Sequence, residues 1–87
     1  MIVKQIRDIT HKVLDMDITY LETFRGYKGD TVLKVVCEKK EVRNDISRLA
    51  HKAGLNFRAD YELDGRFSGQ FNIFIAYEDP EIYQLKG

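Results

Sequence analysis

Residues 42–55 read VRNDISRLAHKAGL. Val42, Ile46, Leu49 and Ala53 are separated by four, three and four positions, which sets them along one face of a helix. Gly54 stands where a helix ends in left-handed backbone, and Leu55 is placed to pack back on the last turn. A buried stripe, a stop signal and a docking residue therefore follow one another in a single segment.

Forty positions earlier Ile2, Ile6, Ile9 and Val13 keep the same steps, with Thr10 and Leu14 widening the face. The offset also matches Ile6 with Ile46, His11-Lys12 with His51-Lys52, Glu22 with Glu62, Gly29 with Gly69 and Glu38 with Glu78, six identities in the thirty-eight pairs from 2/42 to 39/79. Helical phase, turn glycine and the following apolar strand align without a gap, which is the signature of a repeated unit.

A hairpin follows each helix. The first is expected from Asp17 to Arg25 with Thr31 to Glu38, the second from Phe57 to Asp64 with Gln70 to Tyr77. In the second, Phe57, Ala59, Tyr61 and Leu63, and Phe71, Ile73, Ile75 and Tyr77, alternate with mostly polar residues, as half-buried strands do. The pattern predicts an α+β fold: a tandem αββ repeat forming a four-stranded antiparallel sheet with two helices on one face. The chain is read as one domain, 1–87, built from units at about 1–38 and 41–78 and a tail, 79–87. Asp79, Pro80 and Glu81 resemble a helix cap, a first-turn proline and an acidic first turn, so a short C-terminal helical turn is expected, docked through Ile82, Tyr83 and Leu85.

With 87 residues the chain holds one core at most. A chain this short buries only somewhat more than ~60% of its unfolded surface, so a second copy would help it, and a homodimer is expected. Its 44% hydrophobic and 32% charged residues suit a folded domain. No apolar run approaches the ~18 residues of a membrane span, and the opening MIVKQIRDIT carries charge where a signal peptide is apolar, so a cytoplasmic protein is expected, with no membrane partner. Cys37 is the single cysteine and sits in the apolar run TVLKVVC, where a small buried hydrophobe is the simpler reading.

The 14 basic and 14 acidic residues cancel, which argues against a general nucleic-acid binder. The distribution is uneven. Residues 1–52 hold 11 Lys/Arg against 8 Asp/Glu and residues 53–87 hold 3 against 6, so the halves carry +3 and −3.

Carrying the buried register of the second hairpin onto the first turns Thr19, Leu21, Thr23, Leu33, Val35 and Cys37 toward the helices. Ile18, Tyr20, Glu22, Phe24, Val32, Lys34, Val36 and Glu38 then point away, with Arg58, Asp60, Glu62, Asp64, Asn72, Phe74 and Ala76 of the second hairpin. An apolar set on an uncovered face marks an interaction surface. Ile18, Tyr20, Phe24, Val32, Val36 and Phe74 are the expected partner or dimer interface. Cover by the C-terminal tail, or a register slip of one residue that exchanges the faces, is the competing account.

The hairpin tips repeat a second feature. FRGYKGD at 24–30 and DGRFSGQ at 64–70 each combine arginine, an aromatic ring and glycine. Guanidinium pairs with phosphate while a neighbouring ring stacks a base or the guanidinium itself. Arg25, Tyr27, Lys28, Lys34, Arg58, Arg66 and Phe67 are therefore the candidate nucleic-acid-binding residues, for RNA or another single strand whose bases offer a π-face. Alternatively Tyr27 and Phe67 fold back over the hairpin ends, and the cations merely keep the tips solvated.

Catalytic and metal chemistry do not assemble. His11 and His51 each precede a lysine in a last helical turn, where positive charge suits the helix dipole. With Cys37 they match no zinc spacing. Asp60, Glu62, Asp64 and Gly65 start like a calcium loop, but Phe71 stands where the bidentate carboxylate is needed. There is no GxxxxGK loop and no GxSxG turn. No metal or cofactor is expected. The expectation is a non-enzymatic RNA-binding regulator that acts by occlusion; the alternative is a protein-interaction module that inhibits a target enzyme through its apolar sheet face.

Overall fold

The computed structural model describes residues 4–25 and 31–77. The expected C-terminal helical turn at 79–87 and the tip residues Tyr27 and Lys28 lie outside the described residues, as does Ile2. The elements are α1 (Lys4–Val13), β1 (Tyr20–Arg25), β2 (Thr31–Cys37), α2 (Lys40–Lys52), β3 (Asn56–Tyr61) and β4 (Phe71–Ala76). The strands form one antiparallel sheet in the order β1-β2-β4-β3, so β2 and β4 are central while β1 and β3 are its edges. The class is α+β.

The helical stripes become the core. Ile6, Ile9 and Val13 of α1 and Ile46 and Ala50 of α2 are buried in one cluster with Leu33, Val35 and Cys37 of β2 and Ile73 and Ile75 of β4. Leu33 lies opposite Ile75 and Val35 opposite Ile73, so the strand residues form a continuous apolar ladder across the sheet's centre. Arg43 of α2 adds its guanidinium over the Phe71 ring, 4.8 Å from the centroid. Among the described residues no helix is long and apolar enough to cross a membrane.

The end of α2 is built as its sequence implies. Gly54 has φ +73°, its N–H donates to the His51 carbonyl, and the Leu55 N–H donates to the Ala50 carbonyl at 3.0 Å. This pair of bonds is the Schellman arrangement, and it delivers the buried Leu55 to the core.

Three expectations are corrected. Ile18 packs against the core shared with the helices rather than pointing away, because β1 begins only at Tyr20 and the connection before it is a tight turn, with the Ile18 N–H bonded to the Met16 carbonyl. Alternation does not extend through such a turn. Second, the first arm of the second hairpin, read as running from Phe57 to Asp64, is strand only over Asn56–Tyr61, and the chain turns back from the Glu62 N–H bond to Gln70. Third, alternation assigns Phe57, Tyr61 and Leu63 to the buried side of the second hairpin, but they are 38%, 53% and 86% exposed, since β3 is an edge strand and Leu63 lies beyond its end.

Candidate nucleic-acid interface

Alternate residues of the sheet leave the core cluster and meet one another in rows across the strands. One row is Phe24–Val32–Ala76–Asn56, the next Glu22–Lys34–Phe74–Arg58, the third Tyr20–Val36–Asn72–Asp60. Val32 and Ala76 are buried, with Phe24 and Phe74 packed against them as a second small cluster. Val36 is also fully buried. Val32 and Val36 thus support this surface from beneath and present no contact area of their own.

The second hairpin tip folds onto these rows. Gly65 and Gly69 take left-handed backbone, with φ +93° and +79°, and close the loop between the Glu62 N–H bond to Gln70 and the Gly69 N–H bond to Glu62, both 2.8 Å. Phe67 is carried against Tyr20, ring centroids 5.1 Å apart and tilted by 31°. Arg66 lies over both rings, its guanidinium carbon 5.0 Å from the Phe67 centroid and 5.3 Å from that of Tyr20. Lys34 sits between two rings, with Nζ 5.8 Å from Phe67 and 5.7 Å from Phe74. Each distance is within the ~6 Å range in which a cation feels the ring quadrupole.

Two acids of the same surface, Glu22 and Glu62, have neutral donors. Tyr20 donates its hydroxyl to Glu22 at 3.1 Å, and the buried Asn72 donates Nδ2 to Glu62 at 2.6 Å. The Glu22 hydrogen bond, helped by desolvation, raises the Tyr20 pKa above the usual tyrosine value, against an opposing pull from Arg66. Among the described residues the ion pairs are Lys4–Asp8, Lys39–Asp17, Arg48–Asp45 and Arg58–Asp60, and neither Lys34 nor Arg66 belongs to one.

Of the sequence candidates, Lys34, Arg66, Phe67, Tyr20 and Phe74 converge. Arg58 joins the same row through Phe74 but shares its charge with Asp60, 3.6 Å away. Arg25, the exposed last residue of β1, alternates with Phe24 and so has the parity of Leu21, which packs on the core. It is not brought to the cluster. Glu22, Glu62 and Asn72 were missed as site residues. The signal for Asn72 was present: a lone amide inside FNIFIA needs a buried partner.

His11 and His51 are exposed at the two helix ends and Cys37 is buried, with its thiol donating to the Lys39 carbonyl at 3.6 Å. Among the described residues no three of His, Cys, Asp and Glu group as metal ligands. Comparison with protein-family models, curated proteins and solved structures finds no match.

Proposed function

We propose that the chain is a small, cytoplasmic, non-enzymatic regulator that binds single-stranded RNA and acts by occlusion. The reading takes the fold as two αββ units whose helices cover one face of the sheet, which is supported by the single core cluster that residues of both helices share with alternate strand residues. The opposite face is then left to the ring-and-cation surface.

One observation carries the reading: Lys34 and Arg66 are seated on Tyr20, Phe67 and Phe74, while the neighbouring carboxylates are occupied by Tyr20 and Asn72. A base stacking on one of these rings has a cation one ring away for its phosphate. Lys34, Arg58 and Arg66 hold phosphates in this scheme and Tyr20, Phe67 and Phe74 stack bases.

Fluorescence anisotropy with labelled, mixed-sequence single-stranded RNA tests it. Affinity is expected to fall steeply with salt, and Lys34→Ala or Arg66→Ala to flatten the log–log slope by roughly 0.7 for each phosphate contact removed. Phe67→Ala should cost about 1–3 kcal/mol of binding, the worth of one base stack. Absence of binding at low salt overturns the reading and leaves the protein-interaction alternative.

A further inference from the structure

The exposed side of β3 combines three features. Its strand residues Phe57 and Tyr61 stay half open to solvent although Ile75, opposite Phe57, is fully buried and Phe71, opposite Tyr61, is partly buried against the core. An open groove of about 380 Å³ runs between α2 and β3, lined by Ser47, Arg48, His51, Lys52 and Phe57. Leu63, just past the strand, is the most exposed of the large apolar residues among those described.

The backbone pattern shows which groups this edge offers. Glu62 donates its N–H to Gln70. Counting back by twos along the β3–β4 register, Asp60, Arg58 and Asn56 exchange hydrogen bonds with β4. The N–H and C=O groups of Phe57, Ala59 and Tyr61 consequently point out of the sheet.

We infer that a second copy of the chain pairs antiparallel along β3, with a twofold axis at Ala59, joining the two sheets into one. The sequence of the strand is complementary to itself in this register. Ala59 faces Ala59, and Phe57 faces Tyr61 of the other copy, the two pairs whose backbone groups point outward. Arg58 faces Asp60 and Asn56 faces Glu62 on the opposite side of the sheet, while Leu55 comes beside the exposed Leu63. Phe57–Tyr61 sets ring against ring and Arg58–Asp60 sets donor against acceptor, while Asn56 and Glu62 keep bonds within their own chain, Asn56 Nδ2 donating to the Tyr77 carbonyl and Glu62 accepting from Asn72.

Neighbouring registers lack this match. Moving the axis one residue back sets Arg58 against Arg58, and moving it one forward sets Asp60 against Asp60. Shifts that pair outward-pointing with inward-pointing groups break the pleat. The interface is isologous and therefore closes at two copies. It also differs from the sheet-face interface of Ile18, Tyr20, Phe24, Val32, Val36 and Phe74, of which Val32, Val36 and Ile18 face inward or are buried. This inference is independent of the RNA reading.

Sedimentation of nuclease-treated, full-length protein tests it at moderate salt. The wild type is expected to sediment as a dimer. Ala59→Pro removes the outward N–H on the axis but no bond to β4, so it should remain folded by circular dichroism and sediment as a monomer. Arg58→Asp and Asp60→Arg should each be monomeric alone and form a heterodimer when mixed, because the mixture restores opposite charges at both contacts. A wild type that stays monomeric at all accessible concentrations overturns the inference. So does a dimer that survives Ala59→Pro, or a failure of the two charge variants to associate; the charge pair decides the matter should Ala59→Pro unfold.

Discussion

Cys37 occupies the end of β2 with no solvent exposure, its thiol bonded to the Lys39 carbonyl. Desolvation is the main cause that raises its pKa, opposed by Arg43 and reinforced by Asp17. Burial disfavours the thiolate, which is the reactive form, so the native protein should resist thiol reagents at neutral pH and react only as it unfolds. The same shift predicts an alkaline loss of stability. Below the unfolded thiol's pKa of about 8.5 both states hold the proton and the contribution is complete. Above it the unfolded chain ionises first, so the folded state binds more protons and stability falls as pH rises toward the folded pKa. Cys37→Ala, although less stable at neutral pH because it leaves a cavity, should show a flatter alkaline decline in chemical denaturation. Equal slopes in the two proteins would remove this account. The Tyr20 pKa is shifted in the same direction for a different leading reason, the hydrogen bond its hydroxyl donates to Glu22.

At the scale of elements, α2 depends on its C-terminal stop. Gly54 adopts φ +73° with open space where a Cβ would stand, so Gly54→Ala introduces backbone strain and no collision. About 1 kcal/mol of stability should be lost in thermal or urea unfolding, with Gly54→Asn losing less because asparagine tolerates the left-handed region better. A loss of several kcal/mol would mean that the residue does more than end the helix. This element was legible because its signals are local: the stripe of Ile46 and its neighbours, then Gly54 and Leu55, lie within a few turns of one another. The apolar alternation of β4 was legible for the same reason. The register of the second hairpin was not, since it is set by the bonds of Glu62 to Gln70 and Gly69, which the forty-residue match cannot represent. Nor does alternation say whether a side is covered: it turned Phe57 and Tyr61 correctly to one side of β3 without revealing that the sheet ends there. Phe67 lies in a turn, where the strand period has no authority, and only its three-dimensional fold places it on Tyr20.

At the scale of the whole molecule the two proposed surfaces are geometrically compatible. A twofold between antiparallel strands of one sheet runs perpendicular to that sheet, so pairing along β3 would place both ring-and-cation surfaces on the same side. Each four-stranded sheet is roughly 15–20 Å wide at about 4.8 Å between strands, a span that an extended single strand can cross and continue onto the second copy. Linked sites convert the second contact into an intramolecular one and can raise affinity by roughly 10²–10⁴ without any new contact. A long RNA strand should therefore bind the wild type far more tightly than Ala59→Pro, whereas an oligonucleotide that fills one surface should bind both proteins alike. Anisotropy titrations at one fixed salt concentration make the comparison, since phosphate contacts would otherwise dominate any difference. Equal affinities of the two proteins for the long strand would separate RNA binding from pairing along β3. Equal losses on both lengths would instead place Ala59 within the RNA-binding surface itself.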